Sequence, residues 1–74
     1  MTLADIGPGM KVIIESVEPG AEGVVRLMVL GLVEGTPVTF RNAAIGGDPM
    51  EIEVMGASLS VRREQARHFR ISVD

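Results

Sequence analysis

Three carboxylates lie close together in the sequence: Asp48 precedes Pro49, and Glu51 and Glu53 then alternate with apolar residues. On an extended strand Glu51 and Glu53 project from the same face, roughly 7 Å apart. Carboxylate oxygens are the ligands that hard divalent cations prefer, but such a site needs further ligands in a concave setting. The neighbouring sequence indicates neither further ligands nor a concave site. The simpler interpretation is the solvent-facing side of a strand, whose charges also discourage pairing at a sheet edge.

A second candidate for metal chemistry is His68, the only histidine of a chain that has no cysteine. A closed transition-metal site uses about four nitrogen, sulfur or carboxylate ligands, so one copy of the chain cannot complete it from this residue alone. A metal shared between copies stays open. The position beside Phe69 predicts a surface histidine. We therefore predict no resident cofactor, and the weak metal candidates are Asp48, Glu51, Glu53 and His68.

Composition argues against several function classes. The chain has no cysteine nucleophile, no Ser, His and acid arrangement with suitable spacing, and no glycine-rich phosphate loop leading into a helix, so we predict no enzymatic activity. The net charge is −3, with no Trp or Tyr, which argues against nucleic-acid binding.

The most apolar segment, residues 23–33, contains Arg26 and has about half the ~20 residues that a membrane span needs. With no basic, apolar leader at the start, the sequence predicts a cytoplasmic protein without membrane insertion.

Short apolar runs between turn residues predict a single, mainly β domain over residues 1–74. Alternation of apolar and polar residues predicts five strands, whereas spacing of three and four residues favours a short helix at 21–30. Strands of this size bury their edges most economically in a small, partly open barrel. The predicted strands are 10–17, 37–45, 50–55, 57–61 and 68–73, and residues 62–66 can form one helical turn.

The predicted helix is apolar on nearly all sides. Val24, Leu27 and Met28 form its inward stripe, which leaves other large apolar residues outside that stripe. A domain of this size buries only about 60% of its unfolded surface, so the excess face is expected to meet a partner. The alternative is that this segment is partly strand and wholly internal. The predicted partner-binding residues are Val25, Met28, Val29 and Leu32.

Two segments and the start of the chain resemble the sequence pattern of a known family. The segment "RLMVLGLVEGTPV" at 26–38 is similar to the FeoA pattern R-L-x-x-M-G-L-x-P-G-x-x-V, and "GDPMEIEVMGASLSVRREQA" at 47–66 is similar to its second half. The opening "LADIGPGMKVII" fits the usual start of the family. The resemblance covers essentially the whole chain. Departures are Leu30 for the usual Met, Glu34 for the usual Pro, and Val29 where the family often has a charged residue.

The resemblance implies an SH3-like barrel and a role beside FeoB, the membrane transporter of ferrous iron. FeoA proteins are small cytosolic accessories of that transporter, so the expected function is a non-enzymatic interaction module that binds the cytosolic part of FeoB and modulates iron uptake. The alternative is a metal-binding or metal-responsive regulatory domain, similar to the C-terminal domain of metal-dependent repressors. Self-association as a homo-oligomer through the same apolar helix also stays open.

Overall fold

The computed structural model describes residues 1–73 and contains one antiparallel sheet. Its strands lie in the order β4-β3-β2-β1-β5, so β4 and β5 are the two edges. This confirms the predicted mainly β fold with five strands and a short helix. The strands are β1 (Lys11–Val17), β2 (Pro37–Ala43), β3 (Met50–Val54), β4 (Ala57–Val61) and β5 (Phe69–Val73), and the helices are α1 (Val24–Val29) and α2 (Arg63–Ala66).

Alternation along the strands places most of their large apolar residues inside. In β3, Met50, Ile52 and Val54 are buried, whereas Glu51 and Glu53 are half-buried on the other face. The register shifts between Ile14 and Ser16 of β1 and between Phe40 and Asn42 of β2. Irregularities of this kind bend and twist a strand, which lets so small a sheet curl around its own core.

The N-terminal segment closes one side of that core. A 3₁₀ turn at Leu3–Asp5, which the sequence analysis did not predict, buries Leu3 and is followed by the buried Ile6. The Asp5 carboxylate accepts a hydrogen bond of 2.8 Å from the Thr2 N–H, and this bond stabilises the turn. Thr2 also pairs with Arg70 of β5, and the Ile71 N–H donates to the Met1 carbonyl at 3.2 Å. The outer edge of β5 is thereby covered.

Several predicted boundaries and the orientation of Val73 expected from alternation are wrong. Helix α1 begins at Val24 rather than at residue 21, and β2 ends at Ala43 rather than at residue 45. Met55 is a turn residue with a φ of +51° rather than the last residue of a strand. Alternation along 68–73 predicts that Val73 lies inside with Phe69 and Ile71, but it is 65% exposed. It lies at the end of β5 and outside the core cluster, so alternation alone does not bury it.

Candidate docking surface on helix α1

Helix α1 starts at a position that requires glycine. Gly23 precedes the helix with a φ of +84°, a left-handed conformation that other residues adopt only with strain. A Cβ atom on Gly23 would also collide with the side-chain amide nitrogen of Gln65 in α2. The missing side chain therefore sets the backbone direction at the start of α1 and makes room for α2 beside it.

Helix α1 ends in a Schellman motif. Gly31 has a φ of +114°, its N–H donates to the Met28 carbonyl at 3.0 Å, and the Leu32 N–H donates to the Leu27 carbonyl at 3.0 Å. The hydroxyl of the buried Thr36 donates to the Gly31 carbonyl at 3.0 Å. These bonds satisfy the end of the helix and turn the chain sharply back toward the core.

That reversal makes the predicted position of Leu32 wrong. Leu32 was placed on the outer face by continuing helical spacing past residue 30, but it is 0% exposed and belongs to the same core cluster as Leu27. In a Schellman motif, the residue after the left-handed glycine packs back against the last turn of the helix. Leu32 therefore belongs to the fold and cannot contact a partner directly.

The predicted exposure of Val25 and Val29 is confirmed. Val25 is 58% exposed and Val29 is 81% exposed, and their spacing of four residues places them side by side on the outer face of α1. Met28 is half-buried and packs against the core. Leu30 and Val33, on either side of the Schellman turn, are 50% and 40% exposed. Whether these residues bind a partner stays a prediction.

The turn between β3 and β4 extends this apolar area. Met55 is 83% exposed, and its sulfur lies 3.7 Å from where a Cβ atom on Gly31 would be. Sequence spacing could not reveal this neighbour, because the contact joins residues far apart in the chain. We call the combined area the α1 surface; it comprises Val25, Met28, Val29, Leu30, Val33 and Met55.

The three acidic metal candidates have local partners or face water. The Asp48 carboxylate accepts a hydrogen bond of 3.0 Å from the Arg63 N–H, which is the first N–H of α2. Glu53 forms an ion pair with Arg41 of the adjacent strand β2. Glu51 is half-buried on the same face of β3 as Glu53. Within residues 1–73, no group of three or more His, Cys, Asp or Glu side chains is placed to hold a metal ion.

His68 lies elsewhere, at the junction of α2 and β5. It is half-buried rather than fully on the surface, and it lines a pocket of about 320 Å³ together with Glu22, Arg62, Glu64 and Gln65. The backbone of His68 is anchored at both ends, since its N–H donates to the Gln65 carbonyl at 3.1 Å and its carbonyl accepts from the Glu18 N–H at 2.9 Å. The structure does not bring His68 together with the acidic residues of β3.

Comparison with protein families decides the assignment. The family model described as "FeoA domain" matches residues 1–73. The chain belongs to the FeoA family. This confirms the resemblance carried by the two motifs at 26–38 and 47–66 and by the start of the chain. A comparison with curated proteins gives no match.

Solved FeoA structures share the fold. FeoA from Chlorobium tepidum is 35% identical with a TM-score of 0.86, over 99% of this chain and 70% of that one. Iron(II) transport protein A from Clostridium thermocellum is 25% identical with a TM-score of 0.90, over 99% of this chain but only 45% of that one. FeoA from Stenotrophomonas maltophilia, complexed with zinc, is 25% identical with a TM-score of 0.82, over 97% of this chain and 89% of that one.

The Stenotrophomonas FeoA is described as a prokaryotic SH3 domain protein with a suggested role as a ferrous iron transport activating factor. The shared fold confirms the SH3-like architecture expected for this FeoA chain. None of the helices in residues 1–73 is both long enough and apolar enough to cross a lipid bilayer.

Proposed function

We propose that this FeoA protein is a non-enzymatic, cytoplasmic accessory of ferrous iron transport that docks on the cytosolic part of a FeoB-type transporter and modulates uptake. The observation that carries the proposal is the α1 surface, in which exposed valines lie on an ordered helix whose opposite face is fully buried. The connection with ferrous iron comes from solved relatives in the same family, which are described as iron(II) or ferrous iron transport proteins.

The α1 surface has the properties of a protein contact. Contiguous apolar area on a small soluble domain marks an interaction site more often than scattered apolar residues do. Val25 and Val29 are stiff β-branched side chains, so they lose little conformational entropy when a partner covers them. Met28 and Met55 have flexible thioether side chains that adapt to the shape of a partner.

The docking proposal is tested by placing a charge in this surface. Val25→Glu and Val29→Glu each bury a carboxylate against an apolar partner, and we expect either change to weaken binding to the FeoB cytosolic region at least about tenfold. Ile45→Glu is the matched control, because Ile45 is likewise an exposed β-branched residue but lies in the loop between β2 and β3. Isothermal calorimetry or a pull-down with the purified cytosolic region measures the effect.

The fold of each variant is checked by amide NMR spectra, since both valines are exposed and neither change should unfold the domain. Binding by both α1 variants that equals binding by Ile45→Glu would remove the α1 surface from the proposal. Loss of binding in all three variants would indicate a general effect of added negative charge, and it would also count against a specific docking surface.

The second candidate function, metal binding, is motivated by the zinc complex of the Stenotrophomonas protein. The described residues of this chain offer no preformed ligand cluster. We therefore expect calorimetric titration with Fe²⁺ or Zn²⁺ to show no binding in the micromolar range. Micromolar binding that disappears in Glu51→Gln or in a His68→Ala variant would instead support a metal-responsive role.

A further inference from the structure

The two edges of the sheet are treated differently. Residues Met1 and Thr2 cover β5, as described above. Strand β4, Ala57–Val61, pairs with β3 alone within the described residues, and no second strand is hydrogen-bonded to its outer edge. An open strand edge presents unpaired N–H and C=O groups to any strand that can align with them.

The β3–β4 turn determines which groups of β4 point outward. Met55 and Gly56 form a two-residue connection, and both have positive φ, +51° and +83°, as a type I′ turn requires. In such a hairpin the closing pair, Val54 and Ala57, is hydrogen-bonded, and hydrogen-bonded pairs then alternate with non-hydrogen-bonded pairs. The backbone groups of Ala57, Leu59 and Val61 are therefore directed to β3. Those of Ser58 and Ser60 point away from the sheet.

The apolar face of the sheet also stops abruptly at this edge. Phe40, Ile52 and Leu59 lie opposite one another on β2, β3 and β4. Phe40 and Ile52 are buried, but Leu59, the last member of the row, is only half-buried. One further strand with an apolar residue at the same level would continue the row and cover Leu59.

Strand β4 lacks most of the features that prevent edge pairing. Natural edge strands are blunted by lysine, other charges, proline or bulges. The sequence of β4, "ASLSV", contains no charged residue and no proline, and its pairing with β3 is regular. Its short length of five residues is the one such feature present. A neutral edge is also suited to self-pairing, because a copy of the same strand adds no like charge to it.

We propose that β4 pairs antiparallel with β4 of a second copy of this chain, about a two-fold axis that passes beside Leu59. In this register Ser58 lies opposite Ser60 of the second copy, so every outward backbone group of the two serines exchanges a hydrogen bond. Leu59 lies opposite Leu59 of the second copy in a non-hydrogen-bonded pair, where side chains approach most closely. Both sheets then form one continuous sheet.

This arrangement uses residues outside the α1 surface, so it does not depend on the docking proposal. The contact is short, and interfaces below the standard size are weak. We expect a dissociation constant on the order of 0.1–1 mM, reached at the concentrations used in NMR or at a crowded membrane surface.

The amides of the wild-type protein give the first test. As protein concentration rises through this range, the outward N–H groups of Ser58 and Ser60 should exchange with solvent several-fold more slowly, whereas the N–H of Leu59, already bonded to β3, should not change. Sedimentation over the same range should show a monomer–dimer equilibrium. A chain that stays monomeric, or protection that rises equally at all three amides, would overturn the proposal.

Cross-linking tests the register. Since the chain has no cysteine, Leu59→Cys introduces a single thiol at the two-fold axis, where Cα atoms about 4.5 Å apart suit a disulfide. Mild oxidation should yield a covalent dimer at least ten times faster than for Ser72→Cys, an exposed position on β5. Adding Ser60→Pro, which removes an outward donor and leaves the bonds to β3, should abolish this advantage.

Equal cross-linking of Leu59→Cys and Ser72→Cys would overturn the two-fold register. If the wild-type chain is monomeric and Ser60→Pro instead weakens binding to the FeoB cytosolic region, β4 accepts a strand of the partner and self-pairing is refuted.

Discussion

The outer faces of helix α1 and strand β3 have the same structural relation to the core but opposite chemistry. Each element buries one face, Val24 and Leu27 in α1 and Ile52 and Val54 in β3. The outward face of β3 carries Glu51 and Glu53, which are half-buried, and Glu53 pairs with Arg41. The outward face of α1 carries valines that are more than half exposed.

The difference separates what the fold requires from what it does not. The glutamates on β3 are the expected outer residues of an alternating strand, and they keep that face soluble. The valines on α1 have no comparable role, because the helix is already defined by its buried residues, by Gly23 and by the Schellman motif at Gly31. Apolar residues that the fold does not require are better candidates for a partner contact than charged residues that the surface does require.

The largest expected effect on stability comes from truncating a buried residue of the α1 segment, compared with truncating an exposed one. Leu32→Ala should lower the free energy of unfolding by about 2–5 kcal/mol, because it leaves a cavity in the core. Val29→Ala should change it by no more than about 0.5 kcal/mol, since the side chain is 81% exposed. Urea unfolding followed by circular dichroism measures both.

A Val29→Ala variant as unstable as Leu32→Ala would break the comparison, because the outer valine would then belong to the fold. Under conditions in which the Leu32→Ala variant is still folded, its binding to the partner should be nearly unchanged, since the Leu32 side chain is buried.

The sequence predicted the strands better than it predicted the surface. Alternation located all five strands because each buries at least one apolar residue on its inward face, and helical spacing correctly predicted that Val25 and Val29 are exposed. Leu32 was misplaced because a helical projection ignores the reversal at Gly31. Met55 was missed because its proximity to Gly31 depends on how β3 and α1 pack together. The 3₁₀ turn at Leu3–Asp5 is too short for periodicity to show.

A smaller effect is expected at the start of α1. Gly23→Ala should lower the free energy of unfolding by about 1–3 kcal/mol, because alanine is strained at a φ of +84° and its Cβ would displace Gln65. Gly20→Ala is the matched control, since Gly20 has open space around it and no positive φ. Thermal unfolding of the two variants measures the difference.

The double variant Gly23→Ala with Gln65→Ala separates the two causes at Gly23. Removal of the collision should restore part of the lost stability, and the part that stays lost reports backbone strain. Equal stability of Gly23→Ala and Gly20→Ala would mean that this glycine does not fix the direction of α1, and the α1 surface would then be less well ordered than the comparison assumes.

The smallest effect is expected on the outer face of β3. Glu53→Gln removes the ion pair with Arg41, and because Arg41 is exposed and Glu53 is only half-buried, the loss should cost no more than about 0.5 kcal/mol. Glu51→Gln is the control, because Glu51 has no ion pair within residues 1–73 and its removal should leave stability unchanged. Urea unfolding at low salt and at about 1 M salt should show the Glu53 effect only at low salt, since salt screens exposed pairs.

Neither change should alter partner binding, because the β3 face lies outside the α1 surface. A strong loss of partner binding in Glu53→Gln would reverse the comparison, since it would make the charged face, and not the apolar one, the contact that the partner recognises.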